Sequence, residues 1–348
     1  MSVTSTLFGR TQNGEDVYSY TLENSNGMRV CIIEYGCAVT NIFVKNKKGE
    51  FSDVVLGYDN LEAYENASGC LGKFVGRYAN RIENSTFTIG DTTYNLTPNN
   101  GKNHLHGVLM STVFKGSVED DKLVLTYKSP DGEEGFPGNL DVTVTYSLTD
   151  TNAIVMDYTA TTDKPTIVNF TNHSYFNLDG VGSQSVLKQT LQIEAEAYCE
   201  GNAETCPTGN ILPVKGTAFD FSTPKAIGRD LDMDDPQIKM ANGYDHNFIL
   251  DKGINGLALA ATVRSAKTGI TMETYTTQPG VQLYTGNFLA GSEYAGKDGK
   301  PHVNYQGFCL ETQHYPCTPS HPEFPSVLLM PDEEYHETTG YKFITDGE

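Results

Sequence analysis

The stretch LDVTVTYSLTD, residues 140–150, together with AIVMDYTA, residues 153–160, decides the fold. In the first segment apolar side chains occupy the even positions from Leu140 to Leu148, and every odd position is polar. Alternation with a period of two residues is typical of a strand that buries one face. The second segment alternates in the same way after a short polar turn, so the pair predicts an antiparallel hairpin.

The same alternation recurs along the chain, whereas apolar residues spaced three and four apart are scarce. Only one short helix, around residues 60–65, is predicted. The 34 glycines and 15 prolines are spread between the alternating segments rather than gathered in a linker. We therefore expect an all-β fold, a large antiparallel β-sandwich, in one domain over residues 1–348. The further alternating segments are KLVLTYKS (122–129), TLQIEAEAY (190–198), LALAATVRSA (257–266) and ITMETYTT (270–277).

The net charge restricts the classes of molecule that the protein can bind. The chain carries 24 basic and 44 acidic residues, a net charge of −20, and no cluster of basic residues offsets it. Such a surface repels the phosphates of nucleic acids and the headgroups of anionic membranes. We therefore expect neither nucleic acid nor a membrane as a partner, whereas a neutral, hydroxyl-rich small molecule is compatible with this charge.

Targeting signals and cysteine usage indicate the compartment. The amino-terminal segment lacks a basic stretch followed by an apolar run, and nowhere do eighteen consecutive apolar residues occur. The seven cysteines are odd in number, dispersed and without a CxxC pair, which argues against both a disulfide framework and a zinc site. We expect a cytoplasmic protein that is not exported.

Five short segments combine ionisable, amide and aromatic residues in a way that strands alone do not require. In one of them His104 and His106 stand two positions apart and would share one face of a strand, but no neighbouring acid or cysteine completes a metal site. We predict no metal. Glu311 ends an apolar run, and buried glutamates are uncommon unless paired. The segments are GRYANRI (76–82), NHLHG (103–107), TNHSYFNL (171–178), GYDHNF (243–248) and GFCLETQ (307–313).

Each of these polar residues also has a structural interpretation. His173 and His106 could be hydrogen-bonded core or turn residues, and Glu311 could belong to a salt bridge. Asp245 could cap a turn, and Arg81 could be a surface residue. No GxSxG, P-loop, HExxH or GxGxxG motif supports a serine hydrolase, a nucleotide enzyme or a zinc protease. What remains is a histidine and a carboxylate with arginine and asparagine donors, a set suited to proton transfer on a polyol.

Six motifs, taken in order, resemble those of the aldose 1-epimerase (galactose mutarotase) family: GRYANRI, NHLHG, NFTNHSYFNL, GYDHNF, TTQPGVQLYTGNF and GFCLETQHYP. The resemblance spans residues 30–345. It implies a large antiparallel β-sandwich that needs no cofactor and interconverts the α and β anomers of galactose or glucose. It also implies a catalytic pair, Glu311 and His173. The sugar-binding residues that it implies are Asn80, Arg81, His106, Asp245 and Gln278.

One departure concerns the segment after Gly107. Many family members continue that motif with a second glycine, an aromatic residue, Phe-Asp-Lys and a tryptophan. Here VLMSTVFKG follows, and the chain contains no tryptophan. The departure bears on substrate preference more than on the chemistry.

Anomer interconversion removes the proton of the C1 hydroxyl and adds one to the ring oxygen. Glu311 suits the base and a protonated His173 suits the acid, each about 2.6–3.2 Å from its oxygen. We expect the charge of Glu311 or Asp245 to favour the imidazolium. Asn172, Ser174 and Asn177 would fix the ring or touch sugar hydroxyls, and Tyr175 or Phe176 would offer a flat apolar surface.

Three other functions use the same residues. A hexose-6-phosphate 1-epimerase would need a cationic pocket, for which Lys73 or Lys102 is available. A glycosidase would use two carboxylates, Glu311 and Asp245. A non-catalytic sugar-binding module would not need both His173 and Glu311. The sequence does not separate galactose from glucose as the substrate, nor a monomer from a homodimer.

Overall fold

The computed structural model describes residues 2–250 and 256–347, and strands dominate their regular structure. Two short α-helices occur in these residues, α1 (Leu61–Asn66) and α2 (Pro236–Ala241). The strands, in chain order, are β1 (Ser2–Arg10), β2 (Asp16–Glu23), β3 (Arg29–Ile33), β4 (Val39–Lys45), β5 (Phe51–Asp53), β6 (Phe74–Val75), β7 (Arg81–Ile82), β8 (Thr86–Ile89), β9 (Thr92–Asn95), β10 (His104–Leu105), β11 (Lys115–Glu119), β12 (Lys122–Ser129), β13 (Leu140–Leu148), β14 (Ala153–Thr162), β15 (Thr166–Ile167), β16 (Thr171–Asn172), β17 (Thr190–Ile193), β18 (Ala195–Gly201), β19 (Pro207–Pro213), β20 (Lys225–Ala226), β21 (Asp245–Leu250), β22 (Ala258–Arg264), β23 (Ile270–Thr276), β24 (Gly280–Tyr284), β25 (Cys309–Gln313), β26 (Leu328–Leu329) and β27 (Tyr335–Thr345).

The hairpin predicted from residues 140–160 is confirmed. Strands β13 and β14 pair antiparallel, from Leu140 opposite Thr162 to Leu148 opposite Ile154. The even-numbered side chains of β13 are buried, as the alternation predicts. Each fully buried aliphatic side chain of this kind contributes about 1.5–3 kcal/mol through removal of apolar surface from water.

Three sheets carry most of the strands, and the ladders between neighbouring strands in them are antiparallel. The largest has the order β11-β12-β13-β14-β27-β23-β22-β17-β20, and the other two have the orders β1-β2-β3-β4-β5 and β19-β18-β21-β24-β25. One apolar core contains residues of all three sheets, for example Val30, Val144 and Leu283. The prediction of a large antiparallel β-sandwich is therefore confirmed.

The sequence predicted one of the two α-helices. The expected helix near residues 60–65 is α1, and the side chain of Asn60 accepts a hydrogen bond from the backbone N–H of Ala63 at its start. Helix α2 was missed, although Asp235 caps its first turn and Pro236 occupies its first position, both of which are helix-start signals. No helix in residues 2–250 and 256–347 is long and apolar enough to span a membrane.

The prediction of one domain over residues 1–348 stays a prediction. It includes residues 1, 251–255 and 348, which lie outside the described residues.

Candidate active site

Three adjacent strands, β21, β24 and β25, bring two amides and a carboxyl group into one row. Their register places Asn247 opposite Gln282 and Gln282 opposite Glu311. Directly opposite residues point to the same face of a sheet. The intervening side chains of Leu283 and Leu310 point to the other face and belong to the apolar core. Alternation along these strands thus gives the sheet one apolar face and one polar face.

An open cavity of about 240 Å³ lies at one end of this polar row and is lined by Glu311, but not by Asn247 or Gln282. Residues from distant parts of the chain line it, together with Tyr175, Tyr284 and Phe288. Six of the seven site residues that the sequence suggested line this cavity: Asn80, Arg81, His106, His173, Asp245 and Glu311.

Glu311 and His173 are in direct contact at the cavity wall. The Nε2 atom of His173 lies 3.5 Å from Oε1 of Glu311, and both side chains are buried. The second carboxyl oxygen, Oε2 of Glu311, has no hydrogen-bond partner among the described residues. Burial raises the pKa of Glu311 well above its ordinary value, and the negative charge of Asp245 raises it further, whereas Arg81 acts in the opposite direction. The free protein therefore favours the protonated, neutral acid.

The imidazole of His173 is enclosed rather than solvated. Its ring stacks on Tyr175 with centroids 4.9 Å apart and an interplanar angle of 21°. Burial lowers the pKa of His173 to about 4. The expectation that a nearby anion would favour the imidazolium is therefore wrong for the free protein, because burial disfavours the charged form of the ring.

His106 presents a hydrogen-bond donor to the cavity. The backbone N–H of Asn80 donates to its Nδ1 atom over 3.2 Å. Since a neutral imidazole has one donor and one acceptor nitrogen, the proton of His106 resides on Nε2. Burial, and then the neighbouring His173, lower the pKa of His106 well below its ordinary value, so the ring stays neutral.

The expectation that His104 and His106 share one face is wrong. Strand β10 ends at Leu105, and His106 has a positive φ of 65°, which turns its side chain out of the strand pattern. The ring of His104 instead lies against Phe136, with ring centroids 5.5 Å apart, and its Nδ1 atom contacts the carbonyl oxygen of Thr97 at 2.8 Å.

The charged groups opposite the Glu311–His173 pair are held by amides. Arg81 donates from Nε to the side-chain oxygen of Asn100 over 3.2 Å and from a terminal nitrogen to that of Asn80 over 3.4 Å. The amide of Gln282 donates to Oδ1 of Asp245 over 2.7 Å. These contacts leave the guanidinium and the carboxylate at the cavity wall with fixed orientations.

Gln278 does not line the cavity. Its side-chain nitrogen donates to the hydroxyl of Tyr335 over 2.9 Å and to the carbonyl of Phe170 over 3.3 Å, and its oxygen contacts Nδ1 of His314 at 2.9 Å. These contacts satisfy its amide within the fold.

The residue that sequence reasoning missed is Gln282, which stands directly opposite Glu311. The sequence contained a signal for it. Gln282 and Tyr284 are two residues apart in an alternating segment, so their side chains share one face of the strand.

Other polar residues of the motifs support the backbone. Arg77 is buried and donates to Ser129 Oγ and to the carbonyl oxygens of Ser129, Pro130, Pro137 and Gly138, which fixes the acidic loop of residues 131–139. The amide of Asn172 donates to the carbonyl of Gly72, and that of Asn177 to the carbonyl of Gln306. Phe176 belongs to the apolar core, so Tyr175 is the aromatic residue of that motif that faces the cavity.

In the part of the chain that the structure describes, two groups of side chains come close enough to hold a metal ion, Cys70–His106–His173 and His173–Cys309–Glu311, each with ligand atoms within 4.8 Å of one another. Neither fits a metal well. In the first, Nδ1 of His106 already accepts the N–H of Asn80, so its other nitrogen carries the proton. In the second, Cys309 contacts Nδ1 of His173 whereas Glu311 faces Nε2, on the other side of the ring.

A carboxyl–imidazole pair that faces an open polar cavity on a β-sandwich defines an acid–base enzyme acting on a small polar molecule. The family model described as aldose 1-epimerase matches residues 18–342. The chain belongs to the aldose 1-epimerase family.

Known proteins resemble this chain along almost its whole length. A galactose mutarotase of Bos taurus is 44% identical over 346 residues, which are 99% of each chain. An aldose 1-epimerase of Escherichia coli strain K12 is 39% identical over 96% of this chain and 97% of its own. The crystal structure of a galactose 1-epimerase from Lactobacillus acidophilus NCFM matches with a TM-score of 0.86, at 30% identity and 99% coverage of both chains.

Proposed function

We propose that the protein interconverts the α and β anomers of free hexoses such as galactose and glucose by opening and closing the pyranose ring. The observation that carries this proposal is the 3.5 Å contact between His173 Nε2 and Glu311 Oε1 at the wall of an open cavity. The full-length similarity to proteins named galactose mutarotase and aldose 1-epimerase supports it.

The pair holds one exchangeable proton between its two groups, and the reaction uses both groups, one to accept a proton and the other to donate one. A protonated Glu311 beside a neutral His173, and a carboxylate beside an imidazolium, contain the same number of protons. Transfer between Oε1 and Nε2 converts one arrangement into the other without exchange with solvent. In the ionic arrangement Glu311 accepts the proton of the C1 hydroxyl while His173 donates one to the ring oxygen. Ring opening thus leaves the neutral pair, and closure after rotation about C1–C2 reverses both transfers.

The remaining cavity residues bind and orient the sugar. The Nε2–H of His106 donates to the ring oxygen or a neighbouring hydroxyl, since its other nitrogen is occupied. Arg81 and Asp245, which line the cavity, bind hydroxyl groups, and Gln282 holds the carboxylate of Asp245 in place from behind. Tyr175 offers an apolar surface to the pyranose.

A phosphorylated hexose is a poorer fit. Lys73 is buried and donates to the carbonyl of Tyr64 over 2.8 Å, and Lys102 pairs with Glu204 at 3.3 Å. Neither lysine lines the cavity, whose wall carries Arg81 beside the carboxyl groups of Asp245 and Glu311. A phosphate would meet those acidic groups with little cationic compensation.

Polarimetry tests the proposal directly. Freshly dissolved α-galactose, α-glucose and α-glucose 6-phosphate are followed with the wild type and with Glu311→Gln and His173→Asn. We expect acceleration with the free hexoses, and a large loss in each variant. Wild-type rates of anomerisation in His173→Asn would reject the assignment of this residue. Release of nitrophenol from an aryl galactoside would favour a glycosidase.

We further propose a cytoplasmic protein, folded as one domain, whose partner is a small sugar. The presence of all seven cysteines as free thiols supports a reducing compartment.

A further inference from the structure

Cys309 occupies a position that the proposed chemistry does not use. It precedes Glu311 by two residues on β25, so both side chains point to the same face. Its Sγ atom lies 3.4 Å from Nδ1 of His173, and the residue is completely buried. One strand thus carries both the carboxyl group at one nitrogen of the imidazole and the sulfur at the other.

We propose that Cys309 is a positioning residue that accepts the Nδ1–H of His173 and thereby reserves Nε2 for the proton exchanged with Glu311. The proposal rests on the role of His173 in the proposed function. General acid–base catalysis by an imidazole requires one nitrogen to gain and lose a proton while the other keeps its hydrogen bond.

The two contacts of the ring favour one tautomer. When Glu311 is protonated, its O–H group donates to Nε2, which must then present a lone pair. The neutral ring therefore carries its proton on Nδ1, and the sulfur of Cys309 is the acceptor next to it. The opposite tautomer would place two hydrogens between Nε2 and the protonated carboxyl oxygen.

A thiol orients the ring without adding charge. A carboxylate at Nδ1 would stabilise the imidazolium and raise the pKa of His173. Burial raises the pKa of Cys309 well above its ordinary value, so its sulfur stays uncharged. Among the described residues, the titratable groups that lie next to the imidazole of His173 are Cys70, His106, Tyr175, Tyr284, Cys309 and Glu311.

Nitrogen-15 NMR of the sugar-free protein tests the proposal. The histidine signals are assigned with the His173→Asn variant, and the two ring nitrogens of His173 report the tautomer. We expect the Nδ1–H form in the wild type and in Cys309→Ser, and a mixture of forms in Cys309→Ala. An Nε2–H form in the wild type would overturn the proposal without reference to any variant.

Kinetics supply a second readout. We expect Cys309→Ala to lower kcat about five- to tenfold with little change in KM, because a misoriented acid acts on the transition state more than on sugar binding. Cys309→Ser should restore most of the rate. Cys37→Ala, which removes a completely buried sulfur elsewhere in the core, is the matched control and should leave kcat unchanged.

The result for Cys309 is separable from the role of His173. Unchanged tautomer and kcat in Cys309→Ala would reject the positioning role, whereas wild-type activity in His173→Asn would reject the acid role.

Discussion

The Nε2 atom of His173 lies 3.5 Å from Oε1 of Glu311, although His173 follows a strand of a two-stranded sheet and Glu311 belongs to a five-stranded one. His173 directly follows β16, and its backbone N–H donates to the carbonyl of Lys73 over 2.8 Å, whereas Glu311 is held by the pairing of β25 with β24. Hydrogen bonds of two separate ladders therefore fix the distance between the two groups that we propose as acid and base.

Replacing Glu311 by Gln should lower kcat by about 10²–10⁴-fold, because the variant has no base for the C1 hydroxyl. The melting temperature should not fall, since the buried carboxyl is already held in its neutral form and Oε2 has no partner among the described residues. Polarimetry and thermal unfolding measure the two effects. The exposed Glu23→Gln is the matched control, and a melting temperature that falls only in the Glu311 variant would contradict the neutral form.

The value of kcat/KM should fall at both low and high pH. Below the His173 pKa of about 4 both groups are protonated and no base remains, so the acidic limb of kcat/KM should fall there. Above the raised pKa of Glu311 both are deprotonated and no acid remains, so the basic limb should lie well above the ordinary range of a carboxyl group. Rates measured across pH at low sugar concentration check both limits.

The Asp245→Asn variant should move only the basic limb. Removing the negative charge of Asp245 lowers the pKa of Glu311, and the basic limb should shift to lower pH. The position of the limb, rather than the absolute rate, is the readout, because Asp245 also lines the cavity proposed to bind the sugar. A limb that stays in place would show that this charge does not act on Glu311.

The two glutamines of QPGVQ should separate binding from stability. Gln282→Leu should raise KM, since it removes an amide from the polar row and releases Asp245. Gln278→Leu should leave KM close to the wild-type value and lower the free energy of unfolding by about 1–3 kcal/mol, because it removes a buried amide whose half-buried partners Tyr335 and His314 lose their hydrogen bonds. Steady-state kinetics and urea unfolding of both variants give the comparison. The reverse outcome would place Gln278 at the sugar.

Arg77→Met should destabilise the fold by about 3–5 kcal/mol, because five buried oxygen atoms of the 129–138 segment lose their donor. Urea unfolding measures the change. Arg10→Met is the control, since Arg10 is exposed and pairs with Asp16 at the surface, and its unfolding midpoint should stay close to that of the wild type.

The fold was accessible from the sequence because alternation is a local property. The hairpin of β13 and β14 could be predicted from its own residues, whereas the pairing of His173 with Glu311 was implied by the resemblance of the six motifs to a known family. Their protonation could not be predicted, since burial by distant strands sets the pKa of His173. The choice between Gln278 and Gln282 likewise depended on which residue the register places opposite Glu311.

The register of β25 also restricts how this enzyme can change over evolution. Cys309, Glu311 and Gln313 share one face of the strand, whereas Leu310 and Thr312 point to the other. An insertion or deletion of a single residue that shifts β25 by one position would exchange the two faces, which puts the carboxyl group in the apolar core and a leucine in the sugar cavity. A change of loop length at the cavity wall, for example near Phe288, leaves this register intact, whereas a one-residue shift of the strand does not.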